Sequence, residues 1–176
     1  GSWLTTDSVM IAELMAQQDF DWLVVDTEHS CIDLPATWKL VQLLQRGGTP
    51  ALVRVGENDA NLIKRTMDSG ADGVIVPMVC TPEEAEQAVA SVHYPPMGNR
   101  GVGLARAQGY GFGFDSYRKK LVDDAIVLVQ IEHYRGVENL EKDRVKEASV
   151  LPFADGLAEM LESLSPSTTE AKRDAV

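Results

Sequence analysis

Three apolar runs in this chain end in residues that can hold an anion or move a proton. The first passes through Val24-Val25 into Asp26-Thr27-Glu28-His29, the second is Ala51-Leu52-Val53-Arg54-Val55, and the third is Val127-Leu128-Val129-Gln130-Ile131-Glu132-His133. A guanidinium binds a carboxylate through a planar fork of donors. An imidazole changes charge near neutral pH and can take up or release a proton there. A carboxylate supplies the hard oxygen that small divalent cations prefer. Together these groups suit an anionic, carbonyl-bearing substrate and a divalent cation. Apolar strands that end in such residues are the pattern of a parallel β/α barrel with polar groups gathered at its C-terminal mouth. The pattern points to an enzyme.

The intervening segments must bring those ends together. Asp7-Ser8 predicts a helix cap ahead of Met10, Ile11, Leu14 and Met15, which share one face. Trp22 to Val25 is short and continuously apolar, as expected of a strand covered on both faces. Asp33-Leu34-Pro35 opens a helix with proline in its first turn, and Gly47-Gly48 closes it. Beyond the Ala51–Val55 strand, Asn58 or Asp59 caps a helix carrying Leu62, Ile63 and Met67 that ends at Gly70. Gly73 to Val76 is a strand stopped by Pro77. Thr81-Pro82-Glu83-Glu84 is a capping box that starts a helix running to Val92, and Ile126 to Ile131 is the last clear strand. The alternation predicts an α/β fold with a parallel sheet. Tyr94 to Phe114, with Pro95, Pro96 and six glycines, predicts a long irregular loop. Its Arg100 and Arg106 read as parts of a lid or an oligomer contact rather than as direct chemistry.

Charge narrows the function classes. Sixteen Lys and Arg against 27 Asp and Glu give a formal net charge of -11. That excludes a basic nucleic-acid surface and electrostatic docking on an anionic membrane, and an anionic substrate must be drawn in by a local cation. No apolar run approaches a membrane span, and the start lacks the charged and apolar regions of a signal peptide. Cys31 and Cys80 are far apart and lack metal-type spacing, so free thiols in a reducing, cytoplasmic compartment are expected. The 176 residues suit one domain, 1–176. Blander roles compete at each site residue. A histidine after a strand is often a structural hydrogen-bonder, Arg54 could pair with an acidic helix, and Glu132 could be a rim ion-pair partner. His93 and His133 read as structural, and Cys31 has no partner for nucleophile chemistry.

From Gly1 to about Leu140 the chain resembles the HpcH/HpaI aldolase family, metal-dependent pyruvate aldolases acting on 4-hydroxy-2-oxo acids. The likeness is carried by Asp26-Thr27-Glu28-His29, Leu52-Val53-Arg54-Val55, Asp68-Ser69-Gly70-Ala71-Asp72-Gly73-Val74-Ile75-Val76-Pro77, Tyr94-Pro95-Pro96-Met97-Gly98-Asn99-Arg100-Gly101-Val102-Gly103 and Val129-Gln130-Ile131-Glu132. The resemblance implies a (β/α)8 TIM barrel, usually hexameric, and a catalytic divalent cation such as Mg2+, Mn2+ or Co2+. It implies His29 as acid/base, Arg54 on the pyruvate carboxylate and 2-oxo oxygen, Asp68 behind His29 orienting its imidazole, and Glu132 as a metal ligand. Gln130 would neighbour the pyruvate moiety, and Trp3 would line the pocket. The lysines fall on predicted helices or beyond Leu140, away from strand ends, so a Schiff-base mechanism fits less well than a cation-stabilised enolate.

After Leu140 the resemblance fades and the barrel reads as incomplete. A second metal carboxylate is expected there, and Asp155 is the nearest substitute, without the family's flanking residues. Three readings stay open: a natural truncation completed by a partner subunit, an engineered or mis-spliced chain, or omitted residues that leave distant pieces joined near Lys142-Asp143 and Leu151. The last is favoured because each segment is sensible while the joins are not. Two other functions stay open: a catalytically degenerate member that binds an oxo acid or forms oligomers, and a lyase acting on a CoA thioester.

Overall fold

The computed structural model describes residues 1–141; Asp155 lies outside them. The elements run β1 (Ser2–Leu4), α1 (Val9–Ala16), β2 (Leu23–Asp26), α2 (Leu34–Arg46), β3 (Ala51–Arg54), α3 (Ala60–Asp68), β4 (Gly73–Val76), α4 (Pro82–Val92), a 3-10 turn (Arg106–Gln108), α5 (Phe114–Asp124), β5 (Ile126–Val129) and α6 (Tyr134–Glu141). Helix starts follow the capping chemistry. The side chains of Ser8, Asp33, Asp59 and Thr81 each accept the backbone N–H three residues on, and Thr81 with Glu84 completes the capping box. Asp59, rather than Asn58, caps α3. Gly70 follows α3 at φ 92°, a conformation glycine adopts without a Cβ penalty.

The five strands among the described residues are parallel and pair in chain order, β1-β2-β3-β4-β5. Right-handed crossovers that always step the same way put every helix on one face, and the free face must then curl on itself. The side chains divide accordingly. Leu4, Leu23, Val25, Ala51 and Val53 pack with Ala12, Ala16, Leu40, Val41 and Leu44 of α1 and α2. Val74 and Val76 pack with Ile63, Met67, Ala85, Ala88 and Val92 of α3 and α4. The alternate residues Val24, Leu52 and Ile75 form an inner layer with Trp22, Ile126 and Leu128, and no helical residue joins it. The fold is of the (β/α)8 barrel type, with five strands among the described residues.

Three features depart from the periodicity. On α1 the buried positions are Ala12 and Ala16, whereas Met10, Ile11 and Leu14 are exposed. Close approach selects the small residues, because a Cβ on Gly47 would stand 2.9 Å from the Ala16 Cβ. β1 is too short, and α5 too polar, to stand out in the sequence. Finally, the arginines of the glycine-rich loop guard no mouth. Arg100 is fully buried and donates to Asp68 Oδ1 at 2.6 Å and to the Tyr117 hydroxyl at 3.0 Å, with its guanidinium 4.7 Å from the Tyr94 ring centre. Arg106 donates to Gln45 Oε1 at 2.9 Å and to the Ser69 carbonyl at 2.6 Å. Both tie the loop to the C-terminal ends of helices, which lie beside the starts of the strands.

Candidate active site

The inward alternation that buries Val24 and Leu52 brings Asp26 and Arg54 to the same face two residues later, at the ends of β2 and β3, where they are register partners. Arg54 donates Nε to Asp26 Oδ1 at 2.9 Å and Nη2 to Asp26 Oδ2 at 2.7 Å. Asp26 Oδ1 also accepts the backbone N–H groups of Glu28 and His29, at 3.1 and 3.2 Å. One buried carboxylate therefore fixes both the guanidinium and the turn that carries His29. Burial alone would raise the Asp26 pKa, but these bonds hold it below the usual carboxylate value. The bond to Asp26 likewise outweighs burial at Arg54 and strengthens its hold on the proton.

Further groups converge on Arg54. Trp3 of β1 stacks on it, with the guanidinium carbon 4.6 Å from the ring centre. Glu28 Oε2 stands 3.3 Å from Arg54 Nε, and Glu28 Oε1 stands 3.6 Å from His29 Nε2. The His29 imidazole is 68% exposed, open to the mouth. Just past β5, Gln130 donates its backbone N–H to the Val76 carbonyl at 2.8 Å, while its buried side-chain oxygen has no hydrogen-bond partner. Glu132 accepts the Met78 N–H at 3.1 Å, and its charge acts favourably on Arg54.

The strand ends thus bring together Trp3, His29, Arg54 and Glu132, with Gln130 just behind. Asp68 does not join them, and its expected place behind His29 is corrected. It is the last residue of α3, which runs back against the strands, so it sits beside the strand starts and pairs with Arg100. Asp26 and Glu28 take the places next to His29 instead. Both belong to the Asp26-Thr27-Glu28-His29 stretch, but the sequence assigns neither a role of its own, although Asp26 follows Val24 on the inward alternation and that periodicity points to it. Met78, whose backbone N–H meets Glu132, left no sequence signal.

The HpcH/HpaI aldolase/citrate lyase family model matches residues 1–147. The chain belongs to this family. A 2-dehydro-3,6-dideoxy-6-sulfogluconate aldolase of Pseudomonas putida is 39% identical over 158 residues, covering 89% of the chain and 60% of that protein. A hydroxypyruvate/pyruvate aldolase of Sagittula stellata is 39% identical over 143 residues, 81% of the chain and 56% of that protein. Among solved structures, an HpcH/HpaI aldolase/citrate lyase family protein from Burkholderia cenocepacia superposes with a TM-score of 0.78 at 31% identity, over 85% of the chain and 60% of its own. This family member therefore spans between 52% and 60% of the length of the curated relatives it matches. Among its described residues no helix is long and apolar enough to cross a membrane.

The family raises a divalent cation as cofactor. Glu132 keeps a carboxylate oxygen outside its bond to Met78, and the orphaned Gln130 oxygen lies two residues away on the same inward alternation. Both are hard oxygen donors of the kind Mg2+ or Mn2+ takes, usually with several waters retained. No group of three or more His, Cys, Asp or Glu comes together for a metal among the described residues.

Proposed function

We propose that this protein is a carbon–carbon lyase that cleaves a 4-hydroxy-2-oxo acid to pyruvate and an aldehyde, with a divalent cation as cofactor. The observation that carries the reading is Arg54: a guanidinium clamped by Asp26, stacked on Trp3 and placed at strand ends with His29 and Glu132. Two relatives named as aldolases support it.

In this reading Arg54 binds the substrate carboxylate and the 2-oxo oxygen, on which negative charge grows as the bond breaks. His29 takes the proton of the 4-hydroxyl. The C3–C4 bond then breaks, its electron pair forms the pyruvate enolate, and the former C4 leaves as the aldehyde. A proton added at C3 completes pyruvate. Glu132, with Gln130 beside it, would hold the divalent cation, which would supply Lewis-acid stabilisation of the developing negative charge. Trp3 walls the pocket and limits water around the guanidinium. All four lysines among the described residues, Lys39, Lys64, Lys119 and Lys120, lie on helices rather than at strand ends, which disfavours a Schiff base. Assembly into a homo-oligomer fits the exposed Val102, Leu104, Tyr110 and Phe112, and the free Cys31 and Cys80 fit a cytoplasmic site of action.

The test is cleavage of 4-hydroxy-2-oxo acids with and without chelator. Chelation is expected to abolish pyruvate release, and Mg2+, Mn2+ or Co2+ to restore it, with no inactivation by borohydride in the presence of pyruvate. Full activity in excess chelator would refute the metal-dependent mechanism.

A further inference from the structure

Met78 stands just past β4 with φ 57°, in the left-handed region that non-glycine residues rarely enter. Its side chain does not explain the conformation, since it is about half exposed. The backbone contacts do. In this conformation the Met78 N–H meets Glu132 Oε1 at 3.1 Å. The turn around it is fastened to the segment carrying Glu132. Val79 donates its N–H to the Gln130 carbonyl at 3.1 Å, and Asn139 Nδ2 donates to the Cys80 carbonyl at 2.7 Å. Gly136 lets α6 approach, because a Cβ there would lie 3.1 Å from the Val79 carbonyl oxygen. The β4–α4 turn is thus held at three points along residues 130–139, and Met78 supplies the point that touches the carboxylate.

We propose that Met78 is a positioning residue, whose left-handed backbone engages one oxygen of Glu132 and presents the other to the site. The site's use of Glu132 rests on the proposed lyase reading; the positioning itself rests on the backbone. Position 78 should therefore be governed by backbone tolerance rather than by side-chain chemistry. Glycine enters the left-handed region freely and asparagine more readily than most residues, whereas a β-branched residue there is a true outlier.

The experiment has two arms in the full chain. In the first, Met78→Val is expected to lose about tenfold to a hundredfold in kcat/KM for oxo-acid cleavage, the range seen when a partner orienting a metal ligand is removed. Met78→Gly and Met78→Asn should restore turnover toward that of the parent, with all three variants compared for folding by circular dichroism. In the second arm, hydrogen exchange is followed at the Met78 amide, and Glu132→Ala is expected to accelerate it. This readout needs no catalysis and alters an exposed side chain, so it stands even where Met78→Val folds poorly. Equal kcat/KM in the valine and glycine variants, or exchange at Met78 unchanged by Glu132→Ala, would overturn the proposal. A parent that cleaves no oxo acid while Glu132→Ala still speeds exchange would refute the lyase reading and support the Met78–Glu132 fastening.

Discussion

Arg54 makes bonds that another cation cannot copy. Two of its nitrogens span both oxygens of Asp26 while the same plane lies on Trp3 and faces Glu28. A lysine ammonium is a point charge on a flexible stem, and it cannot hold that bidentate pair and still offer directed donors to a ligand. Arg54→Lys is therefore expected to keep the fold, read by circular dichroism, and to lose about 3 kcal/mol of transition-state stabilisation, roughly a hundredfold in kcat/KM for oxo-acid cleavage. Parent rate and affinity in that variant would remove Arg54 from the substrate. The residue scale also explains why no separate role for Asp26 can be read from the sequence. It reads there as one polar residue among several after a strand, and its importance comes from the two Arg54 donors that the tertiary fold adds to the nearby N–H groups of Glu28 and His29.

At the scale of elements, β5 leads directly into Gln130 and Glu132, so its pairing with β4 sets the geometry of half the site. Gly73 opens β4 directly against Ile126. A Cβ at Gly73 would run into the Ile126 carbonyl oxygen and stand 2.6 Å from the Ile126 Cβ, which places the obstruction in the neighbouring strand rather than in a movable side-chain tip. Gly73→Ala is expected to destabilise the fold by about 1–3 kcal/mol, as overpacking does, measured by the urea midpoint. A midpoint equal to the parent's would mean that the two strands can part without cost. Cap residues made the long helices legible, because Asp33, Asp59 and Thr81 bond within their own first turns. The buried side of α1 was not legible, because its packing depends on Gly47, the residue that caps α2.

Over the whole molecule, the buried groups at the strand-start end set a pH dependence separate from the site. His93 is buried beside Arg100, and burial first, then that positive charge, holds its pKa below the ordinary histidine value. The unfolded chain therefore binds the proton first, and stability falls as pH drops below about 6.5 toward the lower folded value. The depressed Asp26 pKa adds a loss only at more acid pH, as that carboxylate is protonated. Replacing His93 with glutamine is expected to flatten the decline in thermal midpoint as pH falls below about 6.5. An unchanged slope across that range would assign the decline to other groups.

The amino-acid sequence by itself determined the alternation of strand and helix, the helix starts and the chemistry available at three strand ends. These depend on interactions a few residues long: caps, turns and the two-residue alternation that turns Asp26, Arg54 and Gln130 inward. Tertiary structure alone decided which of these residues meet. It clamped Arg54 with Asp26 across two strands, turned Met78 toward Glu132 54 positions away, and carried Asp68 to the far end of the sheet to pair with Arg100. The physical reason is direction. Each helix runs back along its strand, so residues close in sequence to a strand end can lie a full strand length from it, while residues far apart in sequence converge at one rim.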